Sequence, residues 1–161
     1  MQLSQTLIDA LQLQMNLERL NAAIYKGLSL ALENANWPGT AAHFAHASQD
    51  EQGHADKIAG YLIDRNTQPL YAALPLPTVT TPDLLPCFQA AMEREQLTSA
   101  AIDQLAAQAE SEGDRATCIF LQWFVMEQIE SEREYTDKLL EVSRAQGDTA
   151  ALLFLDREYG K

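Results

Sequence analysis

Four long stretches of this chain bring inward-type residues back every seventh position, and no other pattern in it constrains the fold as much. Leu11, Tyr25 and Leu32 mark the first, and Phe44 and Ile58 the second, with Ala47, Ala55 and Leu62 beside them. Phe88, Ile102 and Ala109 mark the third; Leu121, Tyr135 and Val142 mark the fourth. Seven residues are about two turns of α-helix, so each stretch reads as a helix that buries one seam against its neighbours. No alternation of useful length predicts a strand. With only 7 glycines and 6 prolines in 161 residues, the rest of the chain offers few competing breaks.

The breaks that do occur set the connectivity. Ser4 is a candidate N-cap, and the first helix runs to about Glu33. NANWPG at 34–39 is a turn, with Asn36 able to cap and Pro38 tolerated in a first helical turn. The second helix runs to about Arg65 and is followed by NTQPLYAALPLPTVTTP, an extended connection long enough to travel the length of a bundle. Asp83 is the expected cap of the third helix, which ends near Gly113; Asp114 caps the fourth, which runs to about Gln146. A short apolar stretch, TAALLFLDREYG, closes the chain. Two helical hairpins joined by one long crossover make an all-α four-helix bundle with a short fifth helix, in a single domain over residues 1–161. Leu13, Leu17, Leu20 and Ile24 form a second apolar stripe on helix one, which predicts burial against another subunit.

Each seam is interrupted once, at mid-helix. The polar residues are Glu18, Glu51, Glu95 and Gln128, and His54 follows Glu51 at i+3 on the same face. Glu18 and Glu51 lie about equally far from the turn that joins their helices, and Glu95 and Gln128 differ in distance from theirs by about one helical turn. An antiparallel bundle therefore gathers all five into one layer. Three carboxylates in an apolar layer repel one another unless protonated or neutralised. Oxygen and imidazole donors together suit iron, manganese or zinc. The competing reading makes Glu18 and Glu95 boundary residues paired with Arg19 and Arg94. Sequence neighbours diverge by about 100° around a helix, however, so neither arginine follows its glutamate inward. Tyr25, two turns from Glu18, reads either as core packing or as a hydrogen-bonded or redox-active neighbour of the metals. His43 and His46 read as polar-face or inter-subunit residues, and Trp123 and Phe124 as core packing.

The charge balance narrows the partners. Eleven basic against 23 acidic side chains leave a formal net charge of −12, which disfavours nucleic acid and attracts cations. No apolar run approaches membrane-spanning length, and the N-terminus carries no leader pattern, so a cytoplasmic location is expected. Cys87 and Cys118 have no metal-finger spacing and read as two buried or partly buried thiols.

MNLERLNAAIY in helix one, SQDEQGHADKIAGYL in helix two, EREQL in helix three and FLQWFVMEQIESE in helix four resemble the non-haem bacterial ferritins. The resemblance spans essentially the whole chain, crossover and fifth helix included. It implies a homo-oligomeric cage of twenty-four subunits around a mineral cavity, with a ferroxidase centre in each bundle that oxidises Fe²⁺ with O₂ or H₂O₂. By position, Glu18, Glu51 and His54 would hold a first iron and Glu51 and Glu95 a second, with Gln128 and Tyr25 close by. Bacterial ferritins often have a glutamate where Ser131 stands. The remaining third-site carboxylates would be Asp50, Glu127 and Glu130, either holding a third iron or forming a solvated acidic face that leads iron inward. Haem-binding bacterioferritins have a methionine directly after the bridging glutamate; Gln52 stands there, so the resemblance implies no haem. A di-iron oxidase or peroxidase of the same bundle class is the alternative.

Overall fold

The computed structural model describes residues 2–75 and 83–161. The second half of the long connection, residues 76–82, lies outside the described residues. Five helices follow in order: α1 Gln5–Asn34, α2 Pro38–Asp64, α3 Leu84–Ser111, α4 Arg115–Arg144 and α5 Thr149–Tyr159. The described residues contain no strand. α1 packs along α2 and α3 along α4, α1 also meets α3, and α5 lies against α2 and α4.

Local chemistry explains most of the boundaries. The Ser4 hydroxyl accepts the Leu7 N–H at 3.1 Å, and the Asp114 carboxylate accepts the Thr117 N–H at 3.1 Å, satisfying donors that a first helical turn leaves open. Asn36 takes a left-handed conformation (φ 63°), and the Trp37 N–H returns to the Leu32 carbonyl at 2.9 Å. Asn36 thus turns the chain rather than capping α2. Nor does Asp83 cap α3 through its side chain, although its backbone is extended as an N-cap requires. Pro38 opens α2 as expected, but no neighbouring side chain caps that helix. Its cap comes from α5. The buried Asp156 carboxylate accepts the Thr40 N–H at 2.7 Å, the Thr40 hydroxyl at 2.8 Å and the Gly39 N–H at 3.2 Å.

The expected seams are the core. Leu11, Glu18, Tyr25 and Leu32 are all buried, as are Phe44, Glu51 and Ile58, Phe88, Glu95, Ile102 and Ala109, and Leu121, Gln128, Tyr135 and Val142. Two apolar clusters result. One contains Leu7, Leu11, Ile58, Leu62, Ile102, Leu121 and Phe124; the other contains Tyr25, Leu32, Phe44, Phe88, Tyr135 and Val142. Arg65, the last step of the α2 seam, turns instead to the bundle end, where its guanidinium meets the Asp114 carboxylate at 2.6 Å. The second stripe on α1 is only partly covered: Leu13 is 74% exposed, Leu17 and Leu20 are half-buried, and half-buried Ile24 packs against the second cluster.

The crossover is strapped to α1 by polar contacts. Asn16 Nδ2 donates to the Leu70 carbonyl at 3.0 Å, Asn16 Oδ1 accepts the Ala72 N–H at 2.9 Å, and Gln12 Oε1 accepts the Leu70 N–H at 2.8 Å. Arg19 donates to the Ala72 carbonyl at 3.1 Å and lies over the Tyr71 ring. Arg19 therefore serves the crossover, not Glu18.

Candidate metal centre

Between the two apolar clusters the seams deliver their polar residues to one layer. Glu18 from α1 and Glu51 and His54 from α2 present ligand atoms that all lie within 4.8 Å of one another. Among the described residues this is the one group of three or more such side chains so placed. His54 Nδ1 stands 3.6 Å from Glu51 Oε1, the geometry expected of i and i+3 on one helix face. Glu18 Oε1 accepts a hydrogen bond from Gln14 Nε2 at 2.7 Å, whereas Glu18 Oε2 is fully buried and has no partner. A buried carboxylate oxygen without a donor is costly unless a cation or proton fills the gap.

The carboxyls register this crowding. Burial raises Glu51 well above the ordinary carboxylate value, and repulsion from Glu18 adds to it. Burial likewise raises Glu18 and Glu95; hydrogen bonds from Gln14 to the former, and from Tyr25 and Gln128 to the latter, act in the opposite direction. Burial lowers His54, which leaves its imidazole neutral near pH 7, the form that ligates metals. A cation held between these oxygens and this nitrogen removes the repulsion, so the donor set fits iron, manganese or zinc.

Glu95 adjoins the group but is already engaged on both oxygens. Tyr25 donates its hydroxyl to Glu95 Oε1, and Gln128 Nε2 donates to Glu95 Oε2 at 3.1 Å and to the Glu95 carbonyl at 3.2 Å. Burial pushes Tyr25 well above its usual value, so it remains a phenol and a donor throughout the physiological range.

The layer opens on a cleft of about 720 Å³ between α2 and α4. Tyr25, Glu51, His54 and Glu95 form its inner wall, and Asp50, Glu127, Glu130, Ser131 and Glu134 line it further out. Asp50, Glu127 and Glu130 thus share one cleft with the buried group without joining the three-residue cluster. Glu127 Oε2 is buried and unpartnered. His43 and His46 line the same cleft. His43 stacks edge-on against Phe44 and Tyr135, and burial lowers it to about 4. Trp123 is not core packing, contrary to the expectation from its neighbours. It is 39% exposed and sits edge-on to the His54 ring at 5.3 Å, with the Lys57 ammonium 3.9 Å from its own ring centroid. Phe124 is buried as expected.

Three residues missed in the sequence complete the layer. Asn21, one turn beyond Glu18, donates to Glu51 Oε2 at 3.2 Å and to Thr98 Oγ1 at 2.9 Å, while Arg94 donates to its carbonyl. Asn21 and Thr98 each follow a seam glutamate, Glu18 and Glu95, by three residues on the same buried helix face, and that spacing is the sequence signal that would have found them. Arg94 has no such signal, since it reaches α1 only once the bundle has formed.

The fold agrees with what comparison shows. The model of the ferritin-like domain family matches residues 8–145. The bacterial non-heme ferritin of Staphylococcus aureus is 29% identical over 158 residues, spanning 98% of this chain and 95% of that protein. Its Staphylococcus saprophyticus counterpart is 29% identical over 156 residues, spanning 97% and 93%. An open-pore ferritin from the archaeon Archaeoglobus fulgidus superposes with a TM-score of 0.96 at 29% identity, covering 98% of both chains. A humanized archaeal ferritin superposes with a TM-score of 0.96 at 28% identity, covering 98% of this chain and 97% of the other.

Proposed function

Because this chain belongs to the ferritin-like domain family, we propose that it oxidises Fe²⁺ inside its own bundle and stores the product as a ferric mineral within a cage of twenty-four copies. One observation carries the reading: Glu18, Glu51 and His54 converge in a buried layer with a carboxylate oxygen left open. Fe²⁺ is here substrate and cargo rather than a resident cofactor. A first ion is held by Glu18, Glu51 and His54, and a second by Glu51 and Glu95, which makes Glu51 the bridge. Two Fe²⁺ supply two electrons to dioxygen, which takes up two protons and leaves as hydrogen peroxide; with peroxide as the oxidant, two waters leave instead.

The chain's own contribution is position and charge. Glu51 keeps the two ions close enough to act together. Both oxygens of Glu95 are hydrogen-bonded, so filling the second position requires Tyr25 or Gln128 to yield one of them. Asp50, Glu127 and Glu130 give the cleft a negative wall along which iron passes between the bundle interior and the cavity. That wall disfavours the alternative of an oxidase acting on an apolar organic substrate, which needs an apolar pocket at the metals.

Stopped-flow absorbance after aerobic addition of about two Fe²⁺ per chain tests the proposal. A fast ferric signal is expected in the native protein and its loss in Glu51→Ala. No fast signal, or one that Glu51→Ala leaves intact, would falsify ferroxidase activity at this centre. The cage is tested separately by size-exclusion mass: a monomer or dimer removes the storage volume.

A further inference from the structure

A carboxylate that bridges two ions must present one oxygen to each, yet the terminal torsion of a glutamate is broad and fixes no such orientation by itself. Something outside the ligand set has to fix it. In this bundle that role falls to a pair that touches no candidate metal position. Asn21 on α1 is fully buried. Its Nδ2 donates to Glu51 Oε2 at 3.2 Å and to Thr98 Oγ1 at 2.9 Å. Its Oδ1 accepts two bonds from the half-buried Arg94 of α3, from Nε at 2.9 Å and Nη2 at 2.7 Å.

Both N–H groups and the carbonyl of the asparagine are therefore engaged. Turning the amide over would set its oxygen against the Glu51 carboxylate and its NH₂ against a guanidinium, two repulsive contacts in a buried layer. The Arg94 fork thus locks the amide, and the amide holds Glu51 Oε2 while Glu51 Oε1 faces His54. We infer that Asn21 and Arg94 form a relay that orients the Glu51 carboxylate for bridging, with Arg94 acting through Asn21. The inference rests on the reading of Glu51 as a bridging ligand. It makes both residues positioning residues, and it explains why Arg94 lies beside Glu95 in sequence yet serves a different glutamate.

A purely structural role, tying α1 to α3, predicts lost stability and an unchanged metal site. A purely electrostatic role predicts that removing the positive charge tightens cation binding. The relay predicts neither. Co²⁺ is a suitable probe, because its visible bands report ligand geometry in the intact, assembled protein without oxidation. Arg94→Gln and Asn21→Ala are each expected to weaken Co²⁺ binding about tenfold, as loss of an outer partner of a metal ligand typically does, and to change the bands in the same way. The double variant is expected to bind no worse than either single one, since the two act in series. Arg94→Gln alone carries the test if Asn21→Ala does not fold. Unchanged or tighter Co²⁺ binding in Arg94→Gln, losses that multiply in the double variant, or a lowered melting temperature with native Co²⁺ bands would each overturn the relay. Native protein that gives no Co²⁺ bands overturns the metal reading, and the relay with it; native bands unaltered by Arg94→Gln overturn the relay alone.

Discussion

Glu51 shows what a single residue does to this molecule before any metal arrives. Its pKa stands well above the ordinary value of 4.5 in the folded chain, chiefly through burial and then through Glu18. The sign of the pH effect follows. As pH rises past about 4.5 the unfolded chain releases this proton while the folded chain keeps it, so the metal-free fold loses stability with rising pH until the folded group also ionises. Urea unfolding of chelator-treated protein should therefore show a midpoint that falls from pH 5 to pH 7, and Glu51→Gln should flatten that slope and unfold at higher urea than native protein at pH 7. A second residue-scale test concerns Tyr25. Tyr25→Phe removes the donor to Glu95 Oε1 and leaves a buried oxygen unpaired, which costs about 1–3 kcal/mol in the metal-free protein by the same measurement. At this scale the sequence was readable where the signal is periodic. Glu18, Glu51, Glu95 and Gln128 stand out because each replaces an apolar residue at a fixed seven-residue step. Arg94 was not readable, because its partner Asn21 lies 73 residues away and belongs to a different helix.

The same distinction separates the elements. α1 and α4 carry their own caps in Ser4 and Asp114, and both were visible in the sequence. The start of α2 was not, because Asp156 reaches it from 116 residues downstream. Asp156→Ala should release three donors, two of them first-turn N–H groups of α2, at a cost of about 1–3 kcal/mol, and should raise hydrogen exchange in both α5 and the first turn of α2. The contact is also close enough to dictate a residue type. A Cβ at Gly39 would fall 1.7 Å from the Asp156 backbone oxygen, so Gly39→Ala is expected to displace α5, seen as early proteolytic loss of the C-terminus. At the opposite end, Asp114 is held below its ordinary value of 3.8, first by the hydrogen bonds from Arg65. Its contribution is present above pH 3.8 and is lost as pH falls through the lower folded value. Asp114→Ala removes cap and ion pair together and should lower stability at neutral pH by about 1–2 kcal/mol in the same unfolding assay.

At the scale of the molecule, a strongly acidic chain also carries an apolar stripe on α1 that its own core covers only in part, with Leu13 left 74% exposed. Burying that stripe against another copy removes exposed apolar surface from water, the usual drive for subunit association. If the proposed cage forms through this stripe, Leu13→Asp should shift it to smaller species by size-exclusion chromatography with light scattering, while the helical content of the chain is retained. The cap on α2 has a further consequence, in the order of events rather than in energy. A chain is made from its N-terminus, and α2, which carries Glu51 and His54, is complete long before α5 exists. Until Asp156 has left the ribosome, the first turn of that helix has no side-chain partner for its open N–H groups. The fifth helix therefore finishes the second one, so the seating of α2 waits until a residue 116 positions further along the chain has been made.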